Sequence, residues 1–218
     1  MSLGQALGGA ASVSTLNVTN RDLALSDSAN YYVAVSATPG TGIVTGNPTS
    51  LVSTTPALVV FNGGLLNIYL IYLKLSETVV GGGAAVKNFT HSLDQGNRYT
   101  SGGTALATVN NTNMLSNAKS SAQIAFGAIT ATAITSRGYN FANDAFRSGT
   151  DVVGDVYEFQ YGSPFGSAVG SQVATVANFV KNVAPVCIEP QSSYLLNIWS
   201  GTFTQGITFE VQLAYAEK

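Results

Sequence analysis

Hydrophobic and polar positions alternate with a period of two along much of this chain. From Ile207, the residues Ile207, Phe209, Val211, Leu213 and Tyr215 fall on one face, with Thr208, Glu210, Gln212 and Ala214 on the other. That is the pattern of a half-buried strand. Tyr157, Phe159 and Tyr161 oppose Val156, Glu158 and Gln160 in the same way, and Tyr31, Val33 and Val35 repeat it. The run 65–73 differs. Leu66, Ile68, Leu70 and Tyr72 lie on one face and Leu65, Tyr69, Ile71 and Leu73 on the other, so both faces are apolar. The expectation is a central strand covered on both sides, once by the core and once by a neighbouring subunit.

Turn chemistry separates these runs: Pro39-Gly40, Asn47-Pro48, Gly63-Gly64, Gly81-Gly82-Gly83, Gly96-Asn97, Gly102-Gly103 and Ser200-Gly201. Many short strands broken by such turns predict an all-β fold, a jelly-roll-type β-sandwich with Gly/Ser/Thr-rich loops. Helix signals are poor. Asn113–Phe126 is the best candidate, weakened by its Asn and Ser, and Asn140–Arg147 could form one turn. The neutral run Ala57–Leu73 approaches the length of a membrane span, about 20 apolar residues. It is interrupted by Asn62, Gly63, Gly64 and Asn67, so two strands joined at Gly63-Gly64 are expected and no membrane partner. Met1–Gly9 lacks the positive and apolar regions of a secretory signal. Residues 1–20 read as an N-terminal extension or arm and 21–218 as a single sandwich domain.

Charge changes the picture. Only 9% of the 218 residues are charged and the net charge is −2, against about 25% charged in ordinary globular chains. Residues 28–73, 99–118 and 190–209 carry no Asp, Glu, Lys or Arg. Nucleic-acid binding needs a basic footprint that is missing here. Disorder needs low hydrophobicity, and this chain is 45% hydrophobic. Interfaces between subunits are depleted of charge at their centres, so the neutral stretches predict self-association. Tyr69, Ile71, Leu73 and Trp199 are the expected interface residues.

Candidate chemistry is sparse. His91 is the only histidine, with Thr90, Ser92 and Asp94 beside it, but strand alternation separates 91 from 92 and no nucleophile elbow exists. A strand-end or loop histidine is expected. Asp144, Asp151, Asp155 and Glu158 are the densest acidic group. Their spacing matches no calcium loop, and loop carboxylates paired with Arg137 or Arg147 are expected. Asp155 and Glu158 should point to opposite faces, which disfavours a glycosidase pair. Cys187 stands alone with Glu189 near it, and a buried, unreactive thiol is expected. Gly81–Gly83 lacks the Lys and Ser/Thr of a phosphate loop. The expectation is therefore a protein that is not an enzyme, with no metal and no cofactor. Trp199 and the tyrosines could instead stack on sugar rings.

Two stretches carry a resemblance. Pro185-Val186-Cys187-Ile188-Glu189-Pro190 leads into Tyr194-Leu195-Leu196-Asn197-Ile198-Trp199-Ser200-Gly201, and a last strand Phe209–Tyr215 follows. This resembles the end of a single jelly roll. Upstream, Asn67–Leu75 followed by Leu93-Asp94-Gln95-Gly96-Asn97-Arg98-Tyr99-Thr100-Ser101-Gly102-Gly103-Thr104 resembles structural virion proteins of tailed bacteriophages, in particular the head-decoration or cement proteins. The resemblance implies a location in the virion and a trimer bound to the major capsid protein or other virion proteins. The alternative is a fibre, tail or adaptor module that binds a receptor or glycan.

Overall fold

The computed structural model describes residues 30–82, 86–106, 109–113, 118–147, 152–162 and 177–218, together with Ser26 and Ser28. The proposed arm at 1–20 lies outside the described residues. What is described is nearly all β. In chain order the strands are β1 (Tyr31–Val35), β2 (Ile43–Val44), β3 (Leu58–Asn62), β4 (Ile68–Val79), β5 (Val86–Asp94), β6 (Tyr99–Ala105) and β7 (Val109–Asn111). They continue with β8 (Ala122–Ala131), β9 (Tyr139–Arg147), β10 (Val156–Tyr161), β11 (Asn178–Val183), β12 (Cys187–Ile188), β13 (Ser193–Trp199) and β14 (Thr208–Glu217).

Two sheets pack face to face. The first runs β11-β10-β4-β14-β1-β7, with β12 paired to β4 and β2 to β14. The second runs β6-β8-β3-β13-β5-β9. Among the described pairs only β10–β11 is parallel. One hydrophobic cluster fills the space between the sheets, drawing on both. The stripe Ile207, Phe209, Val211, Leu213 and Tyr215 belongs to it, as do Tyr157, Phe159 and Tyr161. Each large side chain removed from water here contributes about 1.5–3 kcal/mol.

Several faces differ from the expectation, each for a local reason. Along β4 the register with β14 shifts between Ala214 and Tyr215, leaving Ile71 as an extra residue between Leu70 and Tyr72. A bulge of this kind changes the phase of the alternation. Leu73, expected on the outer face with Tyr69 and Ile71, is therefore in the core, while Tyr72 stays half-exposed outside it. On β1 the phase is set by pairing with β14: Tyr32 and Ala34 face Tyr215 and Leu213 and are buried in the core. Tyr31, Val33 and Val35 point outward. Asn140–Arg147 lies in strand β9, and Ala122–Phe126, the end of the better helix candidate, opens strand β8. Cys187 is exposed, because Val186 and Ile188 take the inward positions on either side of it.

A second, smaller cluster lies on the outer face of the second sheet: Val59, Ala125, Ile129, Ala131 and Leu195. The 46–56 loop crosses that face. Asn197 Nδ2 donates to Val52 O at 2.8 Å, Ala131 N donates to Thr54 O at 2.8 Å and Ser200 N donates to Pro48 O at 3.1 Å. This explains why β13 is buried on both sides without any partner subunit.

Replacing Phe209 by Ala should cost about 3–5 kcal/mol through lost burial and the cavity left behind. Glu210→Gln, one position along on the outer face, should cost under about 1 kcal/mol. Urea unfolding of the two variants checks the assignment of faces, and equal effects would refute it.

Candidate functional site

His91 is in the middle of β5, fully buried, and not at a strand end. Its row on β5 points inward between the sheets. With the ring proton assigned to Nε2, Nδ1 accepts from the Tyr194 hydroxyl at 2.8 Å. Tyr194 in turn accepts from Tyr161 at 2.6 Å. His91 and Tyr194 belong to one sheet and Tyr161 to the other, so the chain of hydroxyls ties the two sheets. Burial pulls the His91 pKa down from 6.5 to about 3. Burial likewise raises the pKa of both tyrosines. The imidazole is therefore neutral and closed to solvent, set edge-on to Phe159 with ring centroids 4.8 Å apart.

The acidic residues do not converge. Asp144 stands 3.8 Å from His91 Nε2 and 3.5 Å from Lys181 Nζ, bridging β9 to β11 at the margin of the core. Asp155 is buried and accepts from Ala177 N at 2.8 Å. Glu158 lies on the outer face, where Gln160 Nε2 donates to it at 2.8 Å. Asp151 lies outside the described residues, as does the Arg147 side chain. Arg137, expected beside a carboxylate of this group, donates to Gln95 Oε1 at 2.8 Å.

Two buried ion pairs escaped the sequence reading. Lys87 on β5 crosses the core to Glu77 on β4 at 2.5 Å and donates to the Tyr157 hydroxyl at 2.7 Å. The second is Asp94 with Arg98, at 3.2 Å. Arg98 also donates to Thr132 O and to Ser53 O at 2.8 Å, while Asp94 accepts from the Thr135 amide at 2.9 Å and from its hydroxyl. Gly138 is required beside this pair, since a Cβ there would sit 2.5 Å from Asp94 Oδ2. The pair thus clasps the 46–56 loop and the 132–138 turn to the second sheet. Its i,i+4 spacing is that of a helix pair, but a turn brings it together here.

The expected interface residues do not form one surface. Tyr69 and Ile71 lie on the outer side of the first sheet, Leu73 is in the core, and Trp199 is on the outer side of the second sheet, half-buried. Around Tyr69 and Tyr72 the outer face of the first sheet carries Tyr31, Val33 and Val35 from β1, Gln212 and Ala214 from β14, and Gln160 from β10. Its charges are Lys74, flanked in register by Glu158 and Gln212, and Glu210. Glu210 accepts from Gly40 N, so the 36–41 loop is tied down over this face.

Acid should unfold the protein partly through His91. Above pH 6.5 the residue is neutral in both states and its contribution to stability is complete. As pH falls below 6.5 the unfolded chain takes up a proton that the fold refuses, and about 1.4 kcal/mol is lost per pH unit until the folded value near 3 is reached. His91→Gln should flatten the stability curve between pH 6 and 4, which denaturant titration at each pH reads out. An unchanged slope would show that His91 is not held neutral. Arg98→Met leaves Asp94 buried without its cation, at a cost of about 3–5 kcal/mol. Hydrogen exchange at the Ala131 amide should rise with it, and protection equal to wild type would dismiss the clasp.

Comparison with protein-family models and with curated proteins finds no match for this chain.

Proposed function

We propose that this chain is a structural component of a virus particle, a jelly-roll decoration or cement protein that stabilises the shell by self-association and by contact with the major capsid protein. The reading rests on the resemblance of the 67–104 and 185–215 stretches and on one structural observation that supports it. Six of the chain's charged residues, Glu77, Lys87, Asp94, Arg98, Asp155 and Glu217, are buried. The described exterior is no richer in charge than the 9% of the whole chain. A lone soluble domain normally covers itself with charge of both signs. The outer face of the first sheet sets tyrosine, valine and amide side chains around Lys74, Glu158 and Glu210, and its tyrosines suit a protein–protein contact, where tyrosine is enriched. In this reading the outer face of the first sheet meets a second copy, in a trimer, and no catalytic step is involved.

Light scattering coupled to size-exclusion chromatography tests the proposal. The wild-type chain should assemble, and Tyr69→Lys should weaken assembly at least about tenfold, equivalent to about 1.4 kcal/mol. At dilutions where both chains are monomeric the variant should keep the wild-type unfolding midpoint, because Tyr69 is 40% exposed in the single chain. A wild-type chain that stays monomeric at high concentration would contradict the proposal.

A further inference from the structure

The outer face of the second sheet holds a groove of about 420 Å³ beside Trp199, within the range of small-molecule sites, about 300–1,000 Å³. Its floor is Trp199 from β13 and Thr90 from β5. Leu51 of the 46–56 loop and the segment Asn140–Asn143 of β9 complete its lining. The loop runs alongside Trp199, from its bond with Ser200 to its bond with Asn197, and leaves Trp199 half-buried.

The indole is held in place. Its Nε1–H donates to Thr90 Oγ1 at 3.0 Å, and Thr90 donates to Asn143 Oδ1 at 2.7 Å. Its only polar group is thus occupied within the protein, and what remains for a ligand is an aromatic surface. The β9 bulge adds the amides. Phe141 is an extra residue between Ala142, opposite His91, and Asn140, opposite Ser92. Phe141 and Ala142 pack against the core, which leaves Asn140 and Asn143 both on the outer face and exposed. None of the described lining residues is charged.

From this arrangement we infer that the groove is a binding subsite for a neutral sugar ring of a glycan. An aromatic face carries a negative quadrupole that attracts the weakly positive C–H face of a pyranose. Side-chain amides donate and accept, as ring hydroxyls require. An uncharged lining gives an anionic ligand no partner. This inference does not depend on the assembly reading, because it uses the opposite sheet.

Trp199 is the chain's only tryptophan, so its fluorescence reports the groove alone. The full chain is titrated with tetrasaccharides of glucose, galactose, mannose and N-acetylglucosamine, each to about 10 mM, which covers the weak affinities of single subsites. At least one should shift the emission saturably. Asn140→Ala, an exposed change that keeps the Trp199–Thr90–Asn143 chain, should weaken that binding about fivefold, the loss of one hydrogen bond. Trp199→Phe should weaken it further by calorimetry. No saturable shift with any of the four, binding only of a sialylated trisaccharide, or binding indifferent to Asn140→Ala would each overturn the inference.

Discussion

The inward row of β5 interdigitates with the inward row of β10: Lys87 meets Tyr157, Phe89 lies between Tyr157 and Phe159, and His91 between Phe159 and Tyr161. The match is polar at both ends and apolar in the middle. Hydrophobic burial alone would hold two sheets together in many relative positions, because it is non-directional. Sliding one sheet by a residue pair would set the Lys87 ammonium against the Phe159 ring and leave Glu77 without its cation. An uncompensated buried charge costs several kcal/mol. The ion pair at one end and the hydroxyl chain at the other therefore select one alignment of the sandwich. The aromatic cluster of Phe89, Phe146, Tyr157, Phe159 and Phe179, with neighbouring centroids 5.1–5.9 Å apart, fills the space between.

The exterior follows from the interior. A chain with 9% charged residues that places an ion pair across its core, a second under its 46–56 loop and Glu217 against Ser120 and Ser121 keeps few charges for its surface. The two outer faces then diverge. The first sheet presents tyrosines and valines over a broad, open area. On the second sheet the 46–56 loop covers β13 up to the groove beside Trp199. A broad tyrosine-rich face suits a protein partner, and an open, uncharged groove beside an indole suits a small neutral ligand. Both proposals thus arise from one allocation of charge.

Strands with simple alternation were legible in the sequence. Ile207–Tyr215 and Tyr157–Tyr161 are core rows because nothing interrupts their period. Where a bulge intervenes the period misleads: one extra residue, Ile71, turns Leu73 inward and Tyr72 outward. On β1 both phases are apolar, so only pairing with β14 decides that Tyr32, stacked on Tyr215 at 5.6 Å, is the core tyrosine. The buried polar groups were the least legible. Nothing adjacent to Lys87 or Glu77 marks them as partners, since they meet through a β4–β5 connection and across the sheets. His91 reads as a strand-end or loop residue for the same reason, as its partners Tyr161 and Tyr194 are remote in sequence. The acidic group at 144–158 is denser along the chain than its described members are in space, because Asp144 lies at the core margin, Asp155 is buried beside Ala177 and Glu158 faces outward.

The central claim is that polar contacts inside the core couple the two sheets, and a double-mutant cycle on Lys87 and Glu77 tests it most directly. Unfolding free energies are measured for Lys87→Met, Glu77→Leu and the double variant. Each single change should cost about 3–5 kcal/mol, because each strands a buried charge. The double variant should cost far less than their sum, with a coupling of about 1–3 kcal/mol or more. Additive effects of the two changes would contradict the account.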